Sequence, residues 1–297
     1  MAEGAAVVGT GAPVRKPVRR GRWVPYALLA PGLLWLVVFF VVPMITLGSQ
    51  SLQEGNIDEG YVFTGNVSIY ADAVQRYWPH LLRSVGYAGT ATVLALLLGY
   101  PLAYFMAQKA GRWKNILLIL VIAPFFTSFL LRTLAWRTIL SDEGPVTDFL
   151  QTIAVLPEDG RLLATPVAVI AGLVYNFMPF MTLPLYASLD KVDYRLIEAA
   201  GDLYAGAFTG FRKVTFPLSM PGVVSGTLLC FIPACGDYIN AELLGTPKQY
   251  MVGNRIQAAF LTEHNYPLAA SLSIILMAVV VLMVVFYIRR AGTEELV

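Results

Sequence analysis

Long apolar runs alternate with short polar connections along the whole chain. Six runs approach or exceed the length of about 20 residues that a helix needs to cross a hydrocarbon core roughly 30 Å thick. They lie near 24–47, 82–107, 116–140, 166–189, 221–244 and 271–288. The longer connections fall near 48–81, 141–165 and 245–270, and no internal repeat of the kind that marks a solenoid interrupts the pattern. The pattern predicts an all-α, polytopic membrane protein with six transmembrane helices across 23–290. Residues 1–22, rich in Ala, Gly, Pro and Arg, read as a disordered basic tail and 291–297 as a second tail. The segment RKPVRRGRW before the first run is like the basic end of a signal peptide. The apolar stretch after it exceeds the roughly 7–15 residues of a cleavable core, and no A-x-A site follows, so it reads as a retained signal anchor.

Composition agrees. The 297 residues are 57% hydrophobic and 13% charged, with mean hydropathy +0.64. A soluble domain holds roughly 45–50% apolar and about 25% charged residues. So few charges cannot cover a water-exposed body, and the lipid bilayer is the expected surrounding. The net charge of +2 identifies no partner, and no nucleic acid is expected. Where the charges sit matters more. One side receives Arg15, Lys16, Arg19, Arg20 and Arg22, then Lys109, Arg112 and Lys114, then Lys191, Arg195, Arg212 and Lys213, then Arg289 and Arg290. These are fourteen of the 21 basic residues. Basic loops stay in the cytoplasm, which puts both termini and the 198–222 connection inside. The outer connections carry Glu54, Asp58, Glu59, Asp72, Asp142, Glu143, Asp148, Glu158 and Asp159.

Several chemistries drop out. Cys230 and Cys235 stand five apart, there is no CxxC or HExxH, and His80 and His264 are the only histidines, so neither a metal nor a cofactor is expected. No grouped nucleophile, base or metal ligand falls in the spans, which argues against an enzyme. No G-x-x-x-x-G-K-[ST] phosphate loop occurs, so any ATP hydrolysis belongs to a separate subunit.

The connection between the fourth and fifth spans, about 191–220 and running into MPG at 220–222, reads KVDYRLIEAAGDLYAGAFTGFRKVTFPLSMPG. Leu196, Ile197, Ala200 and Leu203 recur at helical spacing, with Asp193, Glu198 and Asp202 on other faces. This predicts a short amphipathic helix of about three turns. Gly206 and Gly210 would loosen the chain after it, Phe211–Phe216 would add a turn or two, and Pro221 suits the first turn of the fifth span. An anionic leaflet would not attract the acidic polar face, so a protein partner is expected.

These residues carry a resemblance. EAA, three residues, a glycine and a later hydrophobic-x-LP-like element form the cytoplasmic loop signature of binding-protein-dependent ABC importer permeases. Here it stands as Glu198-Ala199-Ala200, Asp202, Val214 and Phe216-Pro217, then MPG. GYPLAYFMA, TSFLLRTLAWRTIL, GDYINAELLG and MVGNRIQ resemble the polyamine (spermidine/putrescine) branch, from about residue 25 to 290. The resemblance implies a subunit of the bacterial inner membrane whose loop docks as a coupling helix on a cytoplasmic ATPase. Glu198 would lie nearest the contact, with Ala199 and Ala200 allowing close approach. It also implies a second, paralogous permease subunit and an extracytoplasmic solute-binding protein. The family's loop glycine is Tyr204 in this chain, and Gly206 is expected to take over the turn.

Charge inside the membrane costs at least about 2.5–3.5 kcal/mol on insertion scales, so it marks candidate functional residues. FIPACGDYINAELLG in the fifth span supplies Asp237, Tyr238, Asn240 and Glu242, and VYNFMPFMTLP in the fourth supplies Asn176. Pro233 and Gly236 predict a kink or unwinding that turns backbone carbonyls toward a cavity. Asp237 is read either as part of a cation path or as the partner of Arg132. Glu242 is read as an interface residue or as the partner of Arg137. Gly222 and Gly226 form a small-xxx-small face for packing, internally or on a second subunit. An ion-gradient-coupled transporter, or an importer permease for another solute class, is the alternative reading.

Overall fold

The structure is a computed structural model describing residues 24–157 and 159–291, so the predicted tail at 1–22, and that at 291–297 beyond its first residue, lie outside the described residues. The chain divides into two units, one through Thr46 and the other from Leu47 onward. The first holds α1 (Val24–Leu36), a π-helical turn (Val37–Val41) and most of α2 (Val42–Gln50).

The second unit opens with an antiparallel hairpin, β1 (Gln53–Asn56) paired with β2 (Gly60–Phe63), a feature absent from the helical expectation. Then comes α3 (Ser68–Gln108), which starts well before the apolar run at 82. At 1.5 Å per residue a helix of this length is about 60 Å long, twice a hydrocarbon core. Its first turns are stabilised outside that core, with Ala73 and Tyr77 buried against Val252 and Leu272.

The third run is not one helix. α4 (Lys114–Ile122) and a 3-10 turn (Ala123–Phe126) meet α5 (Phe129–Ile139) at a 97° bend. Extended backbone at Thr127 and Ser128 makes the break. α6 (Pro145–Thr152) follows, then α7 (Pro166–Leu189), capped by the Thr165 hydroxyl, which accepts from the Ala168 N–H. The cytoplasmic connection is α8 (Tyr194–Asp202), α9 (Ala207–Gly210), a π-helical turn (Phe211–Thr215) and α10 (Phe216–Leu218). Gly210 sits inside this second helical stretch rather than loosening it, with φ −60°. α11 (Met220–Cys235), with Pro221 in its first turn, ends where Pro233 and Gly236 foretell a break; α12 (Ile239–Leu244) resumes after it. α13 (Val252–Leu261) and α14 (Tyr266–Ala291) close the chain. Among the described residues four helices are long and apolar enough to cross a membrane, and counting each of two bent pairs as one span brings the number to six.

The core is α3, α7 and α11. α3 presents a stripe of small residues at steps of three and four, namely Ala88, Ala91, Ala95, Gly99 and Ala103. α7 fills it with Leu173, Phe177, Met181, Leu185 and Leu189. Close backbone approach replaces the hydrophobic drive that is missing in lipid. The Gly222–Gly226 face packs internally on α7: a Cβ on Gly222 would lie 2.7 Å from the Pro184 carbonyl oxygen.

Candidate functional site

The first candidate site is the cytoplasmic connection. Asp193 starts α8, its carboxylate accepting from the Arg195 N–H at 2.9 Å, a standard N-cap that satisfies one free donor. The other end closes by two bonds, Tyr204 N–H to Gly201 O at 2.9 Å and Ala205 N–H to Ala200 O at 3.0 Å. With Leu203 as C-cap, this is the Schellman pattern, whose next residue must be left-handed. Tyr204 is that residue, with φ +60°. Gly206 does not take over the turn as expected; it is extended, at φ −62° and ψ 158°. The family's glycine position is therefore the C′ of α8, and tyrosine adopts the glycine conformation there at a cost of roughly 1–2 kcal/mol.

Glu198, Ala199 and Asp202 are exposed, Ala200 is half-buried, and Pro217 is exposed at the start of α10. α8 thus lies open on the side that the basic residues assign to the cytoplasm.

Both roots of this loop are fastened. At the end of α7, Gln108 donates to Leu189 O at 2.9 Å, and Lys114 pairs with Asp190 at 2.6 Å. At the start of α11, the hydroxyls of Tyr100 and Ser219 are 2.7 Å apart, and the Tyr100 ring meets those of Phe211 and Phe216. Sequence reasoning missed these fasteners, since a Gln, a Lys and a Tyr at span ends carry no local signature.

The second candidate site is a buried polar cluster where three interrupted segments meet. Asn176 donates to the Thr133 hydroxyl at 3.3 Å and to Asn240 Oδ1 at 3.1 Å. Asn176 Oδ1 and Asn240 Nδ2 are buried without a partner. Asp237, 9% exposed, accepts the Asn240 N–H at 2.9 Å and so caps α12. The carbonyls on either side of the break face α13. Tyr238 O accepts from Asn254 at 2.9 Å, and a Cβ on Gly253 would fall 2.6 Å from Gly236 O. Beside them Gly236, Tyr238, Gly253, Gln257 and Phe260 line a cavity of about 300 Å³.

The two expected ion pairs are absent among the described residues. α5 packs against α12, yet neither arginine reaches an acid there. The Arg132 guanidinium lies over the rings of Phe125 and Phe129, at 5.5 and 5.7 Å, with Nε and Nη1 unpartnered. Arg137 and Glu242 are both exposed and make no ion pair. So Asp237, Asn240 and Asn176 come together, Tyr238 borders them, and Glu242 stands apart. Thr133 and Asn254, which were not anticipated, complete the arrangement.

Long apolar helices, two bent pairs of span length and an exposed helix on the basic side mark an integral membrane protein. The chain belongs to the family of binding-protein-dependent transport system inner membrane components, whose family model matches residues 95–291. It is 36% identical over 256 residues to the spermidine/putrescine transport system permease protein PotB of Haemophilus influenzae, covering 86% of this chain and 90% of that protein. It is 38% identical over 260 residues to Escherichia coli PotB, covering 86% and 94%. In fold it is similar to a chain of a bacterial alginate ABC transporter solved in complex with an alginate pentasaccharide-bound periplasmic protein. That likeness has a TM-score of 0.67 at 20% identity and covers 92% and 95% of the two chains.

Proposed function

We propose that this chain is the transmembrane permease subunit of an ABC importer for polyamines, spermidine or putrescine, in the bacterial inner membrane. Its partners are separate ATP-binding subunits, a second permease subunit and an extracytoplasmic solute-binding protein. The observation that carries the reading is α8: an EAA helix, capped at both ends and exposed, whose two roots are tied into the transmembrane core. ATP-driven closure of the ATPase pushes α8, and the push enters α7 and α11 through those roots. The substrate class rests on the PotB likeness over most of both chains. Asp237, Tyr238, Asn240, Asn176 and Glu242 are the candidate path residues. A buried carboxylate beside paired amides and a helix break suits an organic polycation, since such groups offer charge and acceptors without bulk water.

Copurification from host membranes in mild detergent tests the docking reading. Wild type should bring down an ATPase carrying a phosphate loop, and Glu198→Arg should lose it. If wild type retains no such ATPase under conditions that keep a control complex intact, the reading fails.

A further inference from the structure

We propose that Tyr204 is the anchor side chain of the coupling loop, planting its ring in an apolar, basic-rimmed groove of the cytoplasmic ATP-binding subunit. The proposal rests on the importer reading above and adds the residue that sets the strength of docking.

Three observations lead to it. The C′ position of α8 needs a left-handed backbone, which glycine supplies without steric cost, yet a tyrosine stands there at φ +60°. A non-glycine residue kept in that conformation marks a functional constraint when the fold itself gains nothing from the side chain. Here it gains nothing, because Tyr204 is 98% exposed. The second observation is the company it keeps. Leu203 is 82% exposed, and Phe208, on α9 a few residues further along, is 75% exposed. Three large apolar side chains thus crowd one end of a nine-residue helix. Tyrosine is enriched at the energetic centres of interfaces, where a rigid ring is desolvated inside a rim of weaker contacts. The third observation is charge. Glu198 and Asp202 stand exposed on the helix that ends in the patch against the one exposed Arg195 at its start, so the end nearest the patch is acidic and the complementary surface is apolar with a basic edge.

The test titrates the purified ATP-binding subunit onto the full permease in nanodiscs, freed of its own ATPase, for wild type, Tyr204→Gly and Tyr204→Ala. Glycine relaxes the left-handed backbone and alanine keeps it, but both remove the ring. The expected result is a loss of affinity of at least about tenfold in both variants, with the unfolding temperature of Tyr204→Gly no lower than wild type. Wild-type affinity in both variants overturns the proposal and leaves the importer reading standing. A loss in Tyr204→Gly alone also overturns it, since backbone stiffness and not the ring would then be at work. A ring that serves a lipid surface instead would leave the titration unchanged while weakening binding of loop-exposed permease to anionic vesicles. Failure of wild type to bind any ATPase overturns the importer reading and the proposal together.

Discussion

Gly222→Ala separates α7 from α11 at the point where the coupling loop enters the membrane. The new Cβ would sit 2.7 Å from the Pro184 carbonyl oxygen and equally close to the Ser188 side chain, whereas ordinary contact starts near 3.4 Å. The obstacle is backbone, so the helices must part by roughly 0.7 Å, and overpacking of this kind costs about 1–3 kcal/mol. At Gly226 the nearest backbone atom, Met181 O, is 3.0 Å from the built Cβ, so Gly226→Ala needs a smaller shift and costs about 1 kcal/mol. At Gly86, inside α3, nothing lies within 4 Å. There alanine gains helix propensity, about 0.5–1 kcal/mol. Each kcal/mol moves the midpoint of a domain of this size by about 2–4 °C. Thermal unfolding of the purified chain in detergent should therefore rank Gly222→Ala lowest, Gly226→Ala next, and Gly86→Ala at or above wild type. Spermidine uptake should fall in the first variant by more than its loss of protein explains. An unfolding midpoint for Gly222→Ala level with Gly86→Ala would refute the close α7–α11 contact.

Two further outcomes follow from the polar groups. Asp237→Asn keeps an acceptor for the Asn240 N–H, so the complex should assemble normally while spermidine uptake drops; uptake at the wild-type rate would remove Asp237 from the cation path. On the outer surface, the Arg161 guanidinium hydrogen-bonded to Asp142 holds that carboxyl below its ordinary 3.8. A depressed folded value means the contact stabilises above the ordinary value and is lost as pH falls below it. A carboxyl NMR titration should find the Asp142 midpoint back in the ordinary range in Arg161→Ala; an unmoved midpoint would refute the pairing.

Apolar length and charge placement are one-dimensional properties, which is why the spans and α8 were legible. Runs of Leu, Val and Phe count residues whether or not the helix stays straight. PFFTSF therefore reads as continuous membrane span although Thr127 and Ser128 turn it by 97°. The pairs of Arg132 with Asp237 and of Arg137 with Glu242, one of two readings for each acid, rest on matched depth; depth does place α5 beside α12 but does not fix which way each side chain turns, and neither pair forms among the described residues. In the fifth span Pro233 and Gly236 do announce the break, because both act on the backbone locally. Tyr204 shows the reverse case: its departure from the loop signature was visible, but its conformation follows from hydrogen bonds to Ala200 and Gly201, partners that propensity would not choose for a tyrosine.

The positions of the fasteners bear on how a push on α8 travels. One root is the end of α7, held to α3 by Gln108 and to α4 by Lys114; the other is the start of α11, held to α3 by Tyr100. α3 therefore grips both ends of the lever, and the alanine stripe of α3 and the glycines of α11 keep all three helices at backbone contact. Close packing of this kind resists independent sliding of the three helices. Asn176 lies on α7 thirteen residues before Leu189, about 20 Å from the root, and bonds there to Asn240 beyond the break in the fifth span. On the coupling role proposed above, a displacement entering at Leu189 and Met220 would reach the cluster through α7, with α12 tethered to Asn176. The breaks at Thr127–Ser128 and Gly236–Tyr238 are where the outer segments α5 and α12 leave the direction of the helices before them.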